Sequence, residues 1–145
     1  MVARLAWQKA RDVAYRFEEG MILGADTVAE CCGQILGKPH NREHAGEMLR
    51  MLRNREHSVY SAFCLWFRPE DEVRVHVERT RLKMDDFPED ALEAYLDSDG
   101  WVGKAGAFGY QDGLDWIHIL EGSESNVVGL PMEALAKVLD EYEWG

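Results

Sequence analysis

Apolar residues recur at the period of an amphipathic helix in four parts of the chain. In the first of them, Ala6, Val13 and Phe17 share one side, whereas arginines and acidic residues occupy the other. Gly20 suits the end of this helix. We predict helices over residues 2–19 and 42–53, from Pro88 through Leu96, and from Pro131 to about Tyr142, with Asp85 or Asp86 capping the third.

Four further segments have the character of strands. Val73–Glu78 alternates between apolar and polar residues, which is the pattern of a half-buried strand, and Val59–Phe67 precedes it after a short turn, as in a hairpin. Met21–Ala25 and Trp116–Leu120 are short apolar runs. Interleaved helices and strands favour an α/β class: a mixed, twisted sheet with flanking helices and a central cleft, in a single domain of residues 1–145.

Length and charge narrow the classes of function. The chain has 145 residues and no apolar run of about 18, which argues against a transmembrane helix, and polar residues interrupt any signal-peptide core near its start. We therefore expect a cytoplasmic protein. The formal charge of −11 disfavours binding to nucleic acid. A site for a phosphate-rich ligand must then concentrate lysines locally or use a divalent cation.

Three segments carry candidate chemistry. Asp26 lies near the end of a predicted strand, where ligand crevices form, and Lys38 follows a short turn. A glycine-rich segment, residues 103–113, contains Lys104 and Gln111, which suit a phosphate and the edge of a base. Ser125–Pro131 leads into the last helix. Taken singly, each segment has a purely structural alternative. Asp26 could be an ordinary turn aspartate, the glycine-rich segment a surface loop, and Ser125–Pro131 a turn before a Pro-initiated helix.

Five segments together resemble the Maf family of nucleoside triphosphate pyrophosphatases in order and spacing. The family reads roughly Arg-Leu-Ala-x-x-Lys-Ala, Gly-Ala-Asp-Thr-Val, Leu-Gly-Lys-Pro, Lys-Ala-Gly-Ala-Tyr-x-x-Gln-Gly and Ser-Asn-Val-Val-Gly-Leu-Pro. The corresponding segments here are Arg4–Ala10, Gly24–Val28, Leu36–Pro39, Lys104–Gln111 and Ser125–Pro131. The resemblance covers essentially the whole chain, and matches in register are far more specific than one short motif.

The resemblance implies hydrolysis of a nucleoside triphosphate to the monophosphate and diphosphate. Asp26 matches the family's proton acceptor, which activates water for attack on the α-phosphorus or holds the metal ion that does so. Three lysines match phosphate-facing positions that neutralise charge in the transition state, namely Lys9, Lys38 and Lys104. A divalent cation, Mg²⁺ or Mn²⁺, and a homodimer are also implied.

Base preference is tied to two positions in this resemblance. Thr27 beside the aspartate, together with Gln111 in the glycine-rich segment, is similar to the branch that acts on dTTP and UTP. The branch that acts on 7-methyl-GTP has a different glycine-rich segment. We therefore expect pyrimidine nucleoside triphosphates, including modified ones, as substrates.

The sequence also departs from the family pattern. Family members begin with a strand and a Ser-x-Ser-x-Arg-Arg loop that binds the triphosphate, and we expect this chain to lack both. Loss of such charge-assisted contacts costs orders of magnitude in rate. Gly103 stands where an acidic residue is usual, and Asp112 alters the end of the glycine-rich segment.

Two other functions remain open at this point. A chain without the arginine loop could be a catalytically impaired nucleotide-binding protein or a septum- or division-related interaction protein. It could also act on non-standard purine triphosphates, as a related group of enzymes does. His40 and His44 have the spacing of a metal-binding pair, but a solvated pair is favoured because no third ligand is evident.

Overall fold

The computed structural model describes residues 2–109, 116–128 and 130–141. Groups of one or two helices follow groups of one or two strands along the chain, with one short 3-10 turn at Ala105–Ala107. In chain order they are α1 (Val2–Ala14), β1 (Gly20–Cys31), β2 (Gln34–Leu36), α2 (Arg42–Leu52), β3 (Arg55–Arg68), β4 (Glu72–Met84), α3 (Glu89–Asp97), β5 (Ile117–Glu121), α4 (Glu124–Val128) and α5 (Met132–Glu141).

The strands form one sheet in the order β2-β1-β3-β4-β5. The predicted α/β class with flanking helices is confirmed, as is the hairpin of β3 and β4. Strand directions differ from the mixed pairing we predicted, because every pair among the described strands is antiparallel. Short turns join β1 to β2 and β3 to β4, and strands connected so tightly pair in this way.

Different helices cover the two faces of the sheet. On one face, α1 buries Ala6, Ala10 and Ala14 against apolar side chains of β1 and β3. On the other face, α2 and α3 pack over one end of the sheet, while α5 packs over Phe63 and Leu65 at the opposite end. Because side chains alternate along a strand, neighbouring residues of β1 point toward different helices.

Several boundaries differ from the sequence prediction. The first helix ends at Ala14 and not at residue 19. A tight turn begins at Ala14, with a hydrogen bond from Arg16 N to the carbonyl of Val13 at 2.9 Å. Neither Asp85 nor Asp86 caps α3: Pro88 occupies the cap position, and the Asp85 carboxylate lies 2.6 Å from His118 Nε2. No helix within the described residues combines the length and the apolar character that crossing a membrane would require.

Candidate active site

Lys9 of α1 and Asp26 of β1 form an ion pair above the sheet. The Lys9 ammonium group donates one hydrogen bond to Asp26 Oδ1 at 2.8 Å and another to the carbonyl of Ala25 at 3.1 Å. The side chain of Asp26 is 15% exposed and that of Lys9 is 51% exposed. The pair is thus accessible from the lysine side, where an anion can reach the ammonium group.

Gly24 allows α1 to approach β1 closely enough for this contact. A Cβ atom at Gly24 would lie 2.4 Å from the carbonyl oxygen of Ala6 and 2.6 Å from the backbone nitrogen of Ala10. Both alanines are fully buried. Since Lys9 directly precedes Ala10, the close packing of Ala6 and Ala10 against Gly24 sets the distance between Lys9 and the strand.

Thr27 points to the opposite face of β1 from Asp26. Its hydroxyl lies 2.8 Å from Ser61 Oγ of β3, and Ser61 Oγ donates to the backbone carbonyl of Asn126 at 2.8 Å. A serine hydroxyl carries one proton, so Thr27 is the donor in the first bond. This chain of hydroxyl groups ties the strand that carries Asp26 to α4.

Asn126 fixes α4 against the middle of the sheet. It is fully buried, and its side-chain amide donates to the carbonyl of Val59 at 3.2 Å and to Thr80 Oγ1 at 2.9 Å. The Ser125–Pro131 segment resembles a family motif in sequence, and that pattern does not predict these contacts. Asn126 of this motif therefore connects α4 to β3 and β4.

The segments that carry Lys38 and Lys104 meet each other through their backbones. Gly106 N donates to the carbonyl of Gly37 at 3.1 Å. Leu36 pairs with Ala29, so the antiparallel chain beyond Leu36 starts back toward Asp26. Lys38 is exposed and Lys104 is half-buried.

This junction rests on the far face of β1. A Cβ atom at Gly106 would lie 3.1 Å from the Cβ of Ala29, which is close packing. Ala29 and Asp26 are three residues apart and so point to opposite faces. The structure brings Lys9 to the Asp26 carboxylate, and it brings the segments of Lys38 and Lys104 to the same half of the strand from its other face and edge. Gln111 lies outside the described residues.

His57 is a buried residue near this junction that sequence analysis missed. Its ring lies edge-on to Phe108, with 5.1 Å between centroids, and neither ring nitrogen has a hydrogen-bond partner within the described parts of the chain. Burial lowers the pKa of His57 to about 4. The sequence predicts the strand only from Val59, whereas β3 begins at Arg55 and includes His57. Gly109 N also donates to Tyr95 Oη at 2.9 Å, so β3 and α3 together hold the Phe108 end of the glycine-rich segment.

His40 and His44 stack on each other at 4.9 Å, and His44 Nδ1 accepts a hydrogen bond from the backbone nitrogen of His40. Asn41 caps α2 between them through a bond from His44 N to its side chain at 2.8 Å. The histidines thus belong to the start of α2. No group of three or more metal-ligating side chains occurs among the residues described.

A protein-family model and several curated proteins match nearly the whole chain. A family model described as Maf-like protein matches residues 1–142. A curated relative from Rhodopirellula baltica, named dTTP/UTP pyrophosphatase, is 58% identical over 99% of this chain and 63% of its own length. Relatives of the same name from Dictyoglomus thermophilum and Carboxydothermus hydrogenoformans are each 39% identical over 97% of this chain, and the matches cover 73% and 75% of those proteins. The chain therefore spans less than two thirds of the first relative's length.

Proposed function

Since the chain belongs to the Maf-like protein family, we propose that it hydrolyses dTTP and UTP, and modified pyrimidine nucleoside triphosphates, to the monophosphate and diphosphate. The relatives bear the name dTTP/UTP pyrophosphatase. The observation that carries the proposal is the accessible pair of Lys9 and Asp26, which joins a carboxylate to a cation at 2.8 Å in a protein of formal charge −11.

The reaction exchanges one bond at phosphorus for another. The oxygen of a water molecule bonds to the α-phosphorus, and the bond from that phosphorus to the bridging oxygen breaks, so diphosphate leaves with the electron pair. Lys9 engages Oδ1 of Asp26, which leaves Oδ2 to accept the proton of the water. Lys9 also has donor capacity for a phosphate oxygen as charge develops there.

The remaining predicted residues have proposed roles around this pair. Lys38 and Lys104 bind phosphate oxygens from the edge of β1. Gln111 reads the base, and Thr27 affects base preference through the position of β1, because its hydroxyl is bonded to Ser61. These assignments depend on the family motifs and on the backbone junction at Gly37 and Gly106.

We also propose a divalent cation, Mg²⁺ or Mn²⁺, as cofactor. Asp26 offers a hard carboxylate oxygen, and magnesium is typically held by one or two carboxylates together with substrate phosphates and waters. The residues present fit an ion shared with the substrate: as an alternative to accepting the proton itself, Oδ2 of Asp26 would be the protein ligand of that ion. When bound, the ion would neutralise negative charge on the phosphate oxygens. We also propose that the protein forms a homodimer and acts in the cytoplasm.

A direct assay tests the activity. Purified chain is mixed with dTTP or UTP and Mg²⁺, and release of diphosphate and monophosphate is measured beside ITP as a purine comparison. We expect hydrolysis of the pyrimidine nucleotides, and loss of at least about 100-fold in Asp26→Asn. Asp12→Asn, an exposed aspartate of α1, is the matched control and should retain activity.

Two results would decide against the proposal. Binding of dTTP without turnover would favour the nucleotide-binding alternative, and faster hydrolysis of ITP would favour the purine-directed one. Equal activity of Asp26→Asn and Asp12→Asn would remove Asp26 from the chemistry.

A further inference from the structure

Two adjacent cysteines lie at the turn between β1 and β2. Cys31 is the last residue of β1 and pairs with Gln34 of β2, so Cys32 and Gly33 form a two-residue turn. Both turn residues have a positive φ, 55° at Cys32 and 80° at Gly33, as in a type I′ hairpin turn. A cysteine thus occupies a position where asparagine, aspartate or glycine is usual.

This turn brings the two thiols to the same side of the chain. Successive side chains of an extended strand point to opposite faces, which would separate neighbouring sulfur atoms. The positive φ of Cys32 turns its side chain back, and Cys32 Sγ lies 3.6 Å from Cys31 Sγ. The sulfur atoms are therefore in van der Waals contact, and a disulfide requires them to approach to about 2.05 Å.

The two thiols differ in access and in reactivity. Cys32 is exposed, whereas Cys31 is 1% exposed and its thiol donates to the carbonyl of Glu56 at 3.8 Å. Burial, with a further contribution from Cys32, raises the pKa of Cys31 to about 11. Arg55 Nη1 lies 3.9 Å from Cys32 Sγ, so a cation stands beside the sulfur that faces solvent. Because the thiolate is the nucleophile, Cys32 is the sulfur that reacts first.

Cys64 is the third cysteine and is separated from this pair. It lies opposite Gly24 and belongs to the apolar cluster beneath α1, whereas Cys31 belongs to the cluster on the other face of the sheet. Cys64 is fully buried, and burial raises its pKa. It therefore serves as an internal reference for a thiol that the folded protein keeps out of reach.

We propose that Cys31 and Cys32 form a redox-active dithiol, which a small-molecule disulfide oxidises to a reversible disulfide within the turn. The Cys32 thiolate attacks one sulfur of the reagent, the S–S bond of the reagent breaks, and one thiolate leaves with the electron pair. Cys31 then loses its proton and attacks Cys32 Sγ, and the second thiolate leaves. The protons of the two cysteines go to the two released thiolates, so two protein thiols are oxidised and one reagent disulfide is reduced.

The position of the pair makes its disulfide easy to reduce again. A disulfide between adjacent residues closes a small ring across one peptide bond, and strained or exposed disulfides have the more oxidising potentials of labile sites. The turn joins β1, which carries Asp26, to β2, and beyond β2 the carbonyl of Gly37 accepts from Gly106 N. The dithiol thus lies in the hairpin between two parts of the candidate active site, but its chemistry needs no nucleotide.

The experiment treats the native full chain with oxidised glutathione, blocks the remaining thiols with iodoacetamide in denaturant, and identifies each cysteine by peptide mass spectrometry. In wild type, we expect the peptide with Cys31 and Cys32 to lack two hydrogen atoms and to carry no alkyl group, while Cys64 is alkylated. Dithiothreitol should restore both thiols. The control Cys64→Ala should form the same disulfide as wild type.

Two variants separate the steps of the reaction. Cys31→Ala should stop at a mixed disulfide between glutathione and Cys32. Cys32→Asn, which suits the same positive φ, should leave Cys31 reduced, with a reaction at least about 10-fold slower than in wild type.

Several results would overturn the assignment. They are alkylation of both Cys31 and Cys32 in treated wild type, a mixed disulfide on Cys32 that persists without closing, and a disulfide that joins two chains through Cys32. Oxidation of Cys64 to the same extent as the pair would also overturn it, because the reaction would then belong to the unfolded chain. Each readout is independent of dTTP hydrolysis, so failure here leaves the pyrophosphatase proposal standing.

Discussion

Lys9 reaches Asp26 at 2.8 Å because the helix that carries it crosses β1 at a glycine. The ion pair depends on the packing of α1 against the strand, since Lys9 and Asp26 belong to different elements. Any change that lifts α1 therefore separates the cation from the carboxylate. This dependence makes the crossing at Gly24 as important for the site as the charged residues.

Gly24→Ala should damage both the fold and the site. The added Cβ would lie 2.4 Å from the carbonyl oxygen of Ala6, which belongs to the helix backbone and cannot rotate away. We expect the free energy of unfolding to fall by about 1–3 kcal/mol. A displacement of about 1 Å at Lys9 should reduce kcat/KM for dTTP by about 100-fold. Urea denaturation and initial rates measure the two effects.

Gly37→Ala is the control variant for the loss of stability expected in Gly24→Ala. Nothing lies within 4 Å of the Cβ that it would add. Its free energy of unfolding should stay within about 0.5 kcal/mol of wild type. If Gly24→Ala were as stable and as active as wild type, α1 would not be held as tightly as the structure indicates.

Lys9→Gln should reduce activity with little effect on stability. The lysine side chain is 51% exposed, and an ion pair so open to solvent contributes less than about 1 kcal/mol to folding. Loss of a cation beside the reacting phosphate should lower kcat for dTTP by about 100-fold or more. Lys137→Gln, an exposed change on α5, should leave kcat unaltered. Equal rates in both variants would remove Lys9 from the proposed site.

The sequence predicted elements where one physical signal dominates. The helix predicted over residues 42–53 is α2, which spans Arg42–Leu52, is capped by Asn41 and buries Ala45, Met48 and Leu49. Strand lengths were underestimated because charged residues interrupt the apolar signal: β4 continues past the predicted Val73–Glu78 to Met84, and Arg81 and Lys83 alternate there with the buried Leu82 and Met84.

The sequence identified Lys9 and Asp26 as candidate residues but not the contacts that hold them together. Asp26 and Lys9 stand in recognisable segments, 17 positions apart in sequence, and the structure brings them together. The hydroxyl chain from Thr27 through Ser61 and the clash that Gly24 avoids depend on which strands and helices become neighbours. Local patterns do not encode that choice, because tertiary packing decides it.

Asn126→Ala should be among the most destabilising single changes at a polar residue. The buried amide donates to Val59 O and Thr80 Oγ1, and its removal leaves both acceptors without that donor and opens a cavity. We expect a loss of about 2–4 kcal/mol in the free energy of unfolding. Gln8→Ala, at an exposed position of α1, should change it by less than about 0.5 kcal/mol. Similar midpoints of denaturation for the two variants would contradict the role assigned to α4.

His57 should make the fold sensitive to mild acid. In the unfolded chain its pKa is near the ordinary value of 6.5, whereas burial lowers the pKa to about 4 in the folded protein. Below pH 6.5 the unfolded state therefore binds a proton that the folded state does not, and stability falls until the pH reaches about 4. At about 1.4 kcal/mol per pKa unit, the full loss is roughly 3 kcal/mol.

Denaturation at several pH values between 7 and 4 measures this loss against two variants. His57→Leu places an apolar side chain of similar size against Phe108 and removes the titration, so it should lose less stability over this range than wild type. His40→Gln, at an exposed histidine, should retain the wild-type dependence on pH. If His57→Leu and wild type lost stability in parallel, the acid sensitivity would come from other groups and His57 would not be held neutral by its burial.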